Sequence, residues 1–486
     1  MRGTKARRHE GTRGVALVVA LLLCHLVTAS GRAAQPPAAT GPATPTEPES
    51  DADERLVVIR AGTIITNAGQ EIQGGAIVLS GGRIRNVGHA IEYPLNAKVI
   101  DASNRVVMPG LINPHTRFGL PAYSRTGVHG DLSVAAEFHP YDGQFDELLE
   151  AGYTAVALVP AGTGIPGRAL VVRTGGKAEQ RTLVDPGYVL VADKRTLVEG
   201  LEKAQQEIEK VEKARKEWEE KQKQPTEADR RSAPSRGERP SDRSSERPGD
   251  RSSARPATQP ASQPVTQPAT QPATQPATQP AFTPPPIDPP HQVLVDLIQK
   301  KQGVFALLEA DSASDVLHYE QVLKRFDVAH RLFLRNPRQS DLYRVIPRLG
   351  ERKAQVALWP YVNRVPFSAE RLHLPRDLSA AGCEVSLLPL RDSSDEHLAV
   401  LRRTAELVRE GWGREEALKA LTLHPAKLLG LDKRLGSIEK DKDADLIFLD
   451  ADPFDPAARV KEVMIAGEIV YRSDRLSADL RVERER

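Results

Sequence analysis

Residues 106–120, with the sequence VVMPGLINPHTRFGL, constrain the fold of this chain more than any other segment. The segment begins as an apolar strand and reaches a histidine, His115, which Arg117 follows two positions later. Side chains two positions apart on a strand point to the same face, so His115 and Arg117 should share one site. A guanidinium has no lone pair to offer a metal ion. The pair can therefore supply one metal ligand at most.

Two later segments have an equally distinctive pattern. Residues 420–430 have the sequence ALTLHPAKLLG, and residues 436–446 have the sequence GSIEKDKDADL. Together with the first segment, they closely resemble motifs of the metal-dependent amidohydrolases of the imidazolonepropionase and dihydroorotase type. Its PGLINPHTR resembles the family's P-G-L-I-D-x-H-x-H, residues 420–430 resemble A-T-x-N-P-A-x-x-L-G, and residues 436–446 resemble the family's C-terminal ending. His424 stands where the second motif usually has asparagine. The resemblance covers residues 56–195 and 300–472.

The resemblance implies an α/β fold: a TIM-like (β/α)8 barrel beside a composite β-sandwich made from N- and C-terminal segments. The sequence pattern agrees, because short strands separated by turns come first and strands alternate with helices from residue 109, which indicates parallel pairing. We expect the sandwich in residues 56–108 and 431–475. The barrel is expected in residues 109–196 and 291–430.

Residues 197–290 are predicted to be an insertion between the two barrel halves. Acidic and basic side chains recur at helical spacing over residues 201–224, which favours a charged helix in water, with a partner-binding coiled coil as the alternative. Residues 257–281 repeat Thr-Gln-Pro-Ala and have too little apolar surface to offset the entropy of ordering. The segment after residue 225 is therefore predicted to be a disordered spacer.

The N-terminus has the layout of a secretory signal. Basic residues precede an apolar stretch over residues 15–27, which is short for a membrane span. We expect a signal peptide over residues 1–34, a disordered tether over residues 35–54 and export to the periplasm or medium, with an uncleaved membrane anchor as the alternative. The 67 basic and 65 acidic residues nearly cancel, so charge gives no reason to expect a nucleic-acid partner. Two cysteines, Cys24 and Cys383, provide no disulfide framework.

By the same resemblance, the metal ligands of the family would be two histidines on the first barrel strand, histidines on the fifth and sixth strands, and an aspartate on the eighth. His115 matches the first position and Arg117 stands at the second. The remaining positions fall on residues other than histidine. They are Asn113 for the motif's aspartate, Glu309 and Asp311 on the fifth strand, Arg335 or Asn336 on the sixth, and Leu390 on the eighth. Asp392 is the nearest carboxylate after the eighth strand. We predict that Arg117 fills the vacated metal position and neutralises Glu309 or Asp311.

A glycine-rich segment follows the next strand. Gly162, Gly164 and Gly167 lie in the sequence VPAGTGIPG, where glycines would let backbone amides approach a ligand closely. A tight structural loop is the alternative. The segment is not a phosphate loop, because no Gly-Lys-Ser/Thr follows.

Three functions are compatible with this sequence. The first is a non-catalytic amidohydrolase relative that needs no cofactor and binds a small molecule or a protein partner at the barrel mouth. The second is an active hydrolase of non-peptide carbon–nitrogen bonds that holds one divalent ion, such as zinc, with His115, Glu309, Asp311 and Asp392. The third is a scaffold that acts through the insertion. One histidine is too few for a metal site, since zinc needs three protein ligands even in open catalytic sites.

Overall fold

The computed structural model describes residues 56–223 and 281–473. The predicted signal peptide, the predicted tether and residues 224–280 of the predicted insertion lie outside the described residues. Within those two ranges, no helix has the length and apolar character needed to span a bilayer.

The described residues contain a succession of short strands. Their bounds are β1 Val57–Ile64, β2 Ile72–Ser80, β3 Arg83–Gly88, β4 Lys98–Pro109, β5 Leu111–Thr116, β6 Ser124–Val128, β7 Tyr153–Leu158, β8 Ala161–Ile165, β9 Gly167–Arg168, β10 Leu170–Arg173, β11 Thr182–Val184, β12 Val189–Val191, β13 Ala306–Ala310, β14 His330–Leu334, β15 Gln355–Leu358, β16 Asn363–Arg364, β17 Arg371–Leu372, β18 Glu384–Leu387, β19 Leu446–Leu449, β20 Val460–Ile465 and β21 Glu468–Arg472.

Helices separate most of the later strands. Their bounds are α1 Gln144–Glu150, α2 Ala178–Arg181, α3 Lys194–Lys223, α4 Pro289–Ile298, α5 Ala313–Phe326, α6 Ile346–Glu351, α7 Leu374–Ala380, α8 Ser394–Leu398, α9 Val400–Arg409, α10 Arg414–Lys419 and α11 Leu423–Leu428, with short 3-10 helices at Val134–Glu137 and Leu342–Val345.

The N- and C-terminal segments join in one seven-stranded sheet, in the order β21-β20-β19-β4-β1-β2-β3. The seam is β4, which pairs parallel with β1 and antiparallel with β19. Buried apolar side chains from both ends of the chain, among them Ile59, Val107 and Phe448, form one cluster on this sheet. The predicted pairing of the two terminal segments is therefore observed. A second layer that would make it a sandwich stays a prediction.

One residue, Gly110, connects this sheet to the α/β core. The sequence predicts one continuous strand from residue 106, but the structure divides it into β4 and β5 at this glycine. A Cβ atom at Gly110 would lie 2.1 Å from the Thr154 side-chain oxygen, so only glycine lets β5 pack this closely on β7. The division places the end of β5, with His115, in the core.

The core consists of two sheets, β11-β10-β7-β5 and β18-β15-β14-β13-β12-β9. Residues 167–173 run from one sheet into the other, because β9 pairs with β12 and β10 pairs with β7. Within the second sheet, β12, β13, β14, β15 and β18 pair in parallel, as the alternation predicts. In contrast, β10 is antiparallel to β7. The chain between these two strands contains β8 and β9 but no helix to make the crossover that parallel strands usually need.

Residues 420–421 connect the outer strands of the two core sheets. The amide of Ile112 in β5 donates to the carbonyl of Leu421 at 3.0 Å, and the amide of Leu387 in β18 donates to the carbonyl of Ala420 at 2.9 Å. No strand ladder joins β5 to β18 in the described part of the chain. The structure therefore shows a mixed α/β core, and the closed (β/α)8 barrel stays a prediction.

Helix α3 begins at Lys194, earlier than the charged helix predicted from residue 201. Leu197, Leu201 and Ala204 form a short apolar stripe on its first turns and are fully buried. Beyond them most side chains of the helix are exposed or half-buried. Trp218 near its end contacts Phe282, with 5.8 Å between the ring centroids. The prediction of a solvated helix is therefore right for the second half of α3 and wrong for its start.

Candidate functional site

His115 lies at the end of β5 and faces a carboxylate from β13. Its Nε2 atom is 3.5 Å from Oε1 of Glu309, and the two side chains are only 16% and 10% exposed. The ring packs on Phe333, with 4.7 Å between centroids. Apart from this ionic contact, Nε2 is buried without a hydrogen bond. This is the arrangement expected of a strand-end histidine paired with a nearby acid.

Arg335, just after β14, bridges two acidic residues at the end of β13. Its Nη1 atom is 3.2 Å from Oε2 of Glu309. Its Nε and Nη2 atoms donate to the two carboxylate oxygens of Asp311 at 2.8 and 2.7 Å. This is the bidentate geometry in which arginine binds carboxylates most strongly. His115, Glu309, Asp311 and Arg335 form what we call the internal ion cluster.

The cluster keeps Glu309 ionised. Burial alone would raise the pKa of Glu309, but the adjacent His115 imidazole and the charge of Arg335 lower it below its ordinary value. The hydrogen bond to Asp311 raises the pKa of Arg335. The negative charges of Glu309 and Asp311 are therefore compensated from within the protein.

Arg117 does not compensate these acids, so that prediction is wrong. Its guanidinium donates to the carbonyl oxygens of Pro121 at 2.7 Å and Tyr123 at 3.5 Å. Strand β5 ends at Thr116, so the alternation that would place Arg117 on the same face as His115 stops one residue too early. The sixth-strand position, Arg335, supplies the cation instead.

Asp392, the predicted catalytic acid, lies in the loop after β18 and is hydrogen-bonded to the end of β5. Its Oδ1 accepts a hydrogen bond from the Thr116 hydroxyl at 2.5 Å, and its Oδ2 accepts one from the Arg117 amide at 2.9 Å. Across the residues that the structure describes, Asp392 has no hydrogen bond or ion pair with the internal ion cluster. A catalytic role for Asp392 stays a prediction.

Asn336 is a buried structural amide. Its side-chain oxygen accepts from the Trp359 amide at 3.0 Å, and its nitrogen donates to the Asn363 side chain at 3.1 Å. These bonds connect the loops after β14 and β15, which lie beside the cluster. Of the two residues that the sequence offered at the sixth-strand position, Arg335 therefore joins the cluster and Asn336 supports it.

His397 is a buried histidine that the sequence reasoning missed. Its Nδ1 atom lies 2.8 Å from the carbonyl of Ser393, so this nitrogen carries the proton, and Nε2 can accept from the Asn113 amide at 3.4 Å. Burial lowers the pKa of His397, so the ring is neutral. Its ring also packs against Phe118 and Tyr153. No sequence signal distinguishes it from an exposed histidine on a helix.

The glycine-rich segment forms a strand instead of a loop. Strand β8 pairs in parallel with β6, and a Cβ at Gly162 would lie 1.8 Å from the Arg125 carbonyl oxygen. A Cβ at Gly164 or Gly167 would lie 2.6 or 2.8 Å from a backbone oxygen, and all three glycines have positive φ. Close backbone packing thus accounts for these glycines. Their contact with a ligand stays a prediction.

The side chains present do not fit a divalent metal ion. The described ranges contain no group of three or more histidine, cysteine, aspartate or glutamate side chains placed to hold one. Within the internal ion cluster, the guanidinium of Arg335 binds both carboxylates and would repel a second cation. His115 is the one imidazole at this position, whereas a zinc site needs at least three protein ligands.

Comparison with known proteins bears on the C-terminal segment and on the fold. The sequence model of the Amidohydrolase family matches residues 396–471. N-acetylglucosamine-6-phosphate deacetylase of Homo sapiens is 41% identical over 64 residues, which are 13% of this chain and 14% of that protein. The 5'-deoxyadenosine deaminase of Methanococcoides burtonii is 35% identical over 81 residues, 16% of this chain and 18% of that protein. This chain therefore matches less than a fifth of the length of these curated relatives.

A solved amidohydrolase from Thermotoga maritima MSB8 has a similar fold. It superposes with a TM-score of 0.62 at 22% identity and covers 86% of this chain and 100% of its own. The resemblance to the amidohydrolase superfamily is confirmed. The family-model match begins at residue 396, so it does not include the residues of the internal ion cluster. At 22% identity, the structural match shows the amidohydrolase fold alone.

Proposed function

We propose that this amidohydrolase-fold protein has an internal ion cluster in place of a metal centre and binds a small molecule or a protein partner there without hydrolysing it. The observation that carries the proposal is the bridge from Arg335 to Glu309 and Asp311. These residues lie at or just after the carboxyl ends of β13 and β14, where such folds place functional residues. The predicted signal peptide supports a site of action outside the cytoplasm.

An active hydrolase with one metal ion is the alternative, but fewer observations favour it. It would require Glu309 and Asp311 to leave Arg335, and Asp392 to leave Thr116 and the Arg117 amide. Each acid would lose polar contacts that stabilise the fold. A hydrogen bond to a charged group contributes about 1.5–3 kcal/mol to stability, and an ordinary one about 0.5–1.5 kcal/mol. A scaffold role through residues 197–290 rests on the sequence of the insertion. The one structural feature in its favour is the second half of α3, whose side chains are exposed or half-buried.

Metal analysis of the purified mature protein tests the proposal. After dialysis against a chelator and then buffer, we expect zinc, manganese and iron well below one ion per chain, measured by plasma mass spectrometry. A zinc protein of known metal content, purified in the same way, controls for metal loss during handling. One tightly bound ion per chain in this protein, retained through dialysis, would contradict the proposal.

Ligand binding is tested separately by thermal shift. The compounds are cyclic amides, imides and dipeptides, the substrate classes that the family resemblance suggests. We expect a stabilising compound to be recovered intact by mass spectrometry and to lose its effect in His115→Gln, which removes the imidazole facing Glu309. The matched control is His129→Gln, a histidine outside the cluster. Turnover of the compound by the metal-free protein would contradict a purely binding role.

A further inference from the structure

A polar cavity, separate from the internal ion cluster, lies where two hairpin turns of the seven-stranded sheet meet the end of β10. Its volume is about 490 Å³. Its charged lining consists of four cationic and two acidic side chains: Arg83, Arg173, Lys177, Arg434, Asp443 and Glu468. The lining thus has an excess of two positive charges. None of the functions considered above uses this cavity.

Asp443 is the centre of the charge arrangement. Its buried carboxylate, 6% exposed, lies 2.7 Å from Nη2 of Arg173 and 2.7 Å from Nη2 of Arg434. Arg83 approaches the other oxygen at 3.6 Å. One carboxylate therefore faces three guanidinium groups. Asp445 also pairs with Arg173, with 3.0 Å between its Oδ2 and Nε of the arginine, and so offsets part of the positive charge.

The cations at the cavity rim retain binding capacity. Arg83 is 62% exposed, and within the described residues its side chain has Asp443 as its one ionic partner. Arg434 uses Nε and Nη2 for Asp443, which leaves its Nη1 group for another acceptor. Lys177 pairs with Glu468, but both side chains are more than 60% exposed, so the pair is weak. Guanidinium and ammonium donors thus converge on one opening.

The close packing of the two hairpin turns holds Arg83 at this opening. A Cβ at Gly82 would lie 2.4 Å from the carbonyl oxygen of Ala466, and Gly82 has a φ of +78°. Only glycine lets the β2–β3 turn rest on the β20–β21 turn in this way. Arg83 begins β3 immediately after this contact, so its position does not depend on a mobile loop.

We propose that this cavity binds a phosphate group. A phosphate is a compact anion whose oxygens match the planar fork of arginine, and its negative charge is opposite to the net positive charge of the lining. The cavity is far larger than a phosphate ion and leaves room for a small organic group attached to it. The ligand class is therefore inorganic phosphate or a small phosphate monoester.

Isothermal titration calorimetry on the full chain tests this site with two probes, inorganic phosphate and glycerol 2-phosphate. We expect saturable binding with one site per chain for at least one probe. The double variant Arg83→Gln/Lys177→Gln should weaken it about tenfold or more, because each substitution removes a charge-assisted contact. Both residues are exposed, so the fold should survive, which circular dichroism checks. The control is Arg60→Gln, an exposed arginine on β1 outside the cavity, which should bind as the wild type does.

The two probes distinguish the sources of the phosphate. Tighter binding of glycerol 2-phosphate than of phosphate identifies a phosphorylated small molecule, and the reverse order identifies the free ion. The proposal is overturned if neither probe shows saturable binding, or if the double variant binds with the affinity of the wild type. Because the cavity shares no residue with the internal ion cluster, its test is independent of the function proposed above.

Discussion

Replacing Arg335 with methionine removes the cation of the internal ion cluster while keeping an unbranched apolar stem. The bond to Asp311, whose side chain is 55% exposed, should contribute little, because exposed ion pairs are worth about 0–1 kcal/mol. Glu309 is only 10% exposed, and breaking a buried pair costs about 3–5 kcal/mol. Arg335 is itself 39% exposed, and His115 remains beside Glu309. We therefore expect the free energy of unfolding to fall by about 2 kcal/mol at neutral pH.

Urea denaturation followed by circular dichroism measures this loss. The control is Arg338→Met, an exposed arginine three positions along the same loop whose side chain lies 5.7 Å from the centre of the Tyr361 ring. A double-mutant cycle with Glu309→Gln should give a coupling energy of about 1–2 kcal/mol between Arg335 and Glu309. A loss no larger than that of the control, or a coupling energy of zero within error, would refute the reasoning.

The pH dependence gives a second test of the same cluster. Because the folded-state pKa of Glu309 is lowered, its pairing stabilises the protein above the pKa of an unfolded glutamate, about 4.3, and is lost as the pH falls through the folded-state value. Without Arg335, burial should raise that pKa and let Glu309 take up a proton more easily. The difference in stability between wild type and Arg335→Met should therefore shrink on acidification. A difference that stays constant down to pH of about 4 would show that Glu309 is not the group affected.

Three further predictions concern other parts of the protein. Arg117→Ala should cost about 1 kcal/mol and leave the Arg335–Glu309 coupling energy unchanged, because Arg117 bonds to carbonyl oxygens; a changed coupling would contradict this. The folded-state pKa of His397 is lowered, so the free energy of unfolding should fall as the pH drops below about 6.5, and His397→Phe should reduce that slope in urea titrations. Trypsin should cut first among the arginines of residues 230–255, and the fragments should co-elute in gel filtration because β12 pairs with β13 across the insertion; fragments that separate without denaturant would contradict the domain boundaries.

The strand and helix pattern was largely predictable because it depends on local sequence. The apolar runs before Glu309 and Arg335 become β13 and β14, and their parallel pairing follows from the helix between them. The join at Gly110 was not predictable, because the close contact that requires glycine is with Thr154, which comes from another strand. The hydrophobic periodicity of a single segment gives no information about tertiary contacts of this kind.

The members of the candidate site were predictable, but their pairing was not. The family resemblance drew attention to His115, Glu309, Asp311 and Arg335, and the structure brings all four together. The choice between Arg117 and Arg335 as the cation depended on where β5 ends. That end is held by Asp392, which is remote in sequence, so no pattern around residue 117 reports it. The burial of His397 was not predictable for the same reason, since it depends on contacts with Asn113 and Tyr153, which are remote in sequence.

The composite sheet determines the order in which this chain can finish folding as it leaves the ribosome. Strands β1 to β4 are made early, but the other edge of β4 is covered by β19, from the far end of the described chain. Until that part emerges, β4 presents an open row of backbone donors and acceptors, the kind of edge on which neighbouring chains aggregate. Pairing between such distant segments is also slow. A chain that terminates prematurely before Leu446 would therefore keep this edge exposed, and should be a substrate for chaperones and proteases even with its entire α/β core synthesised.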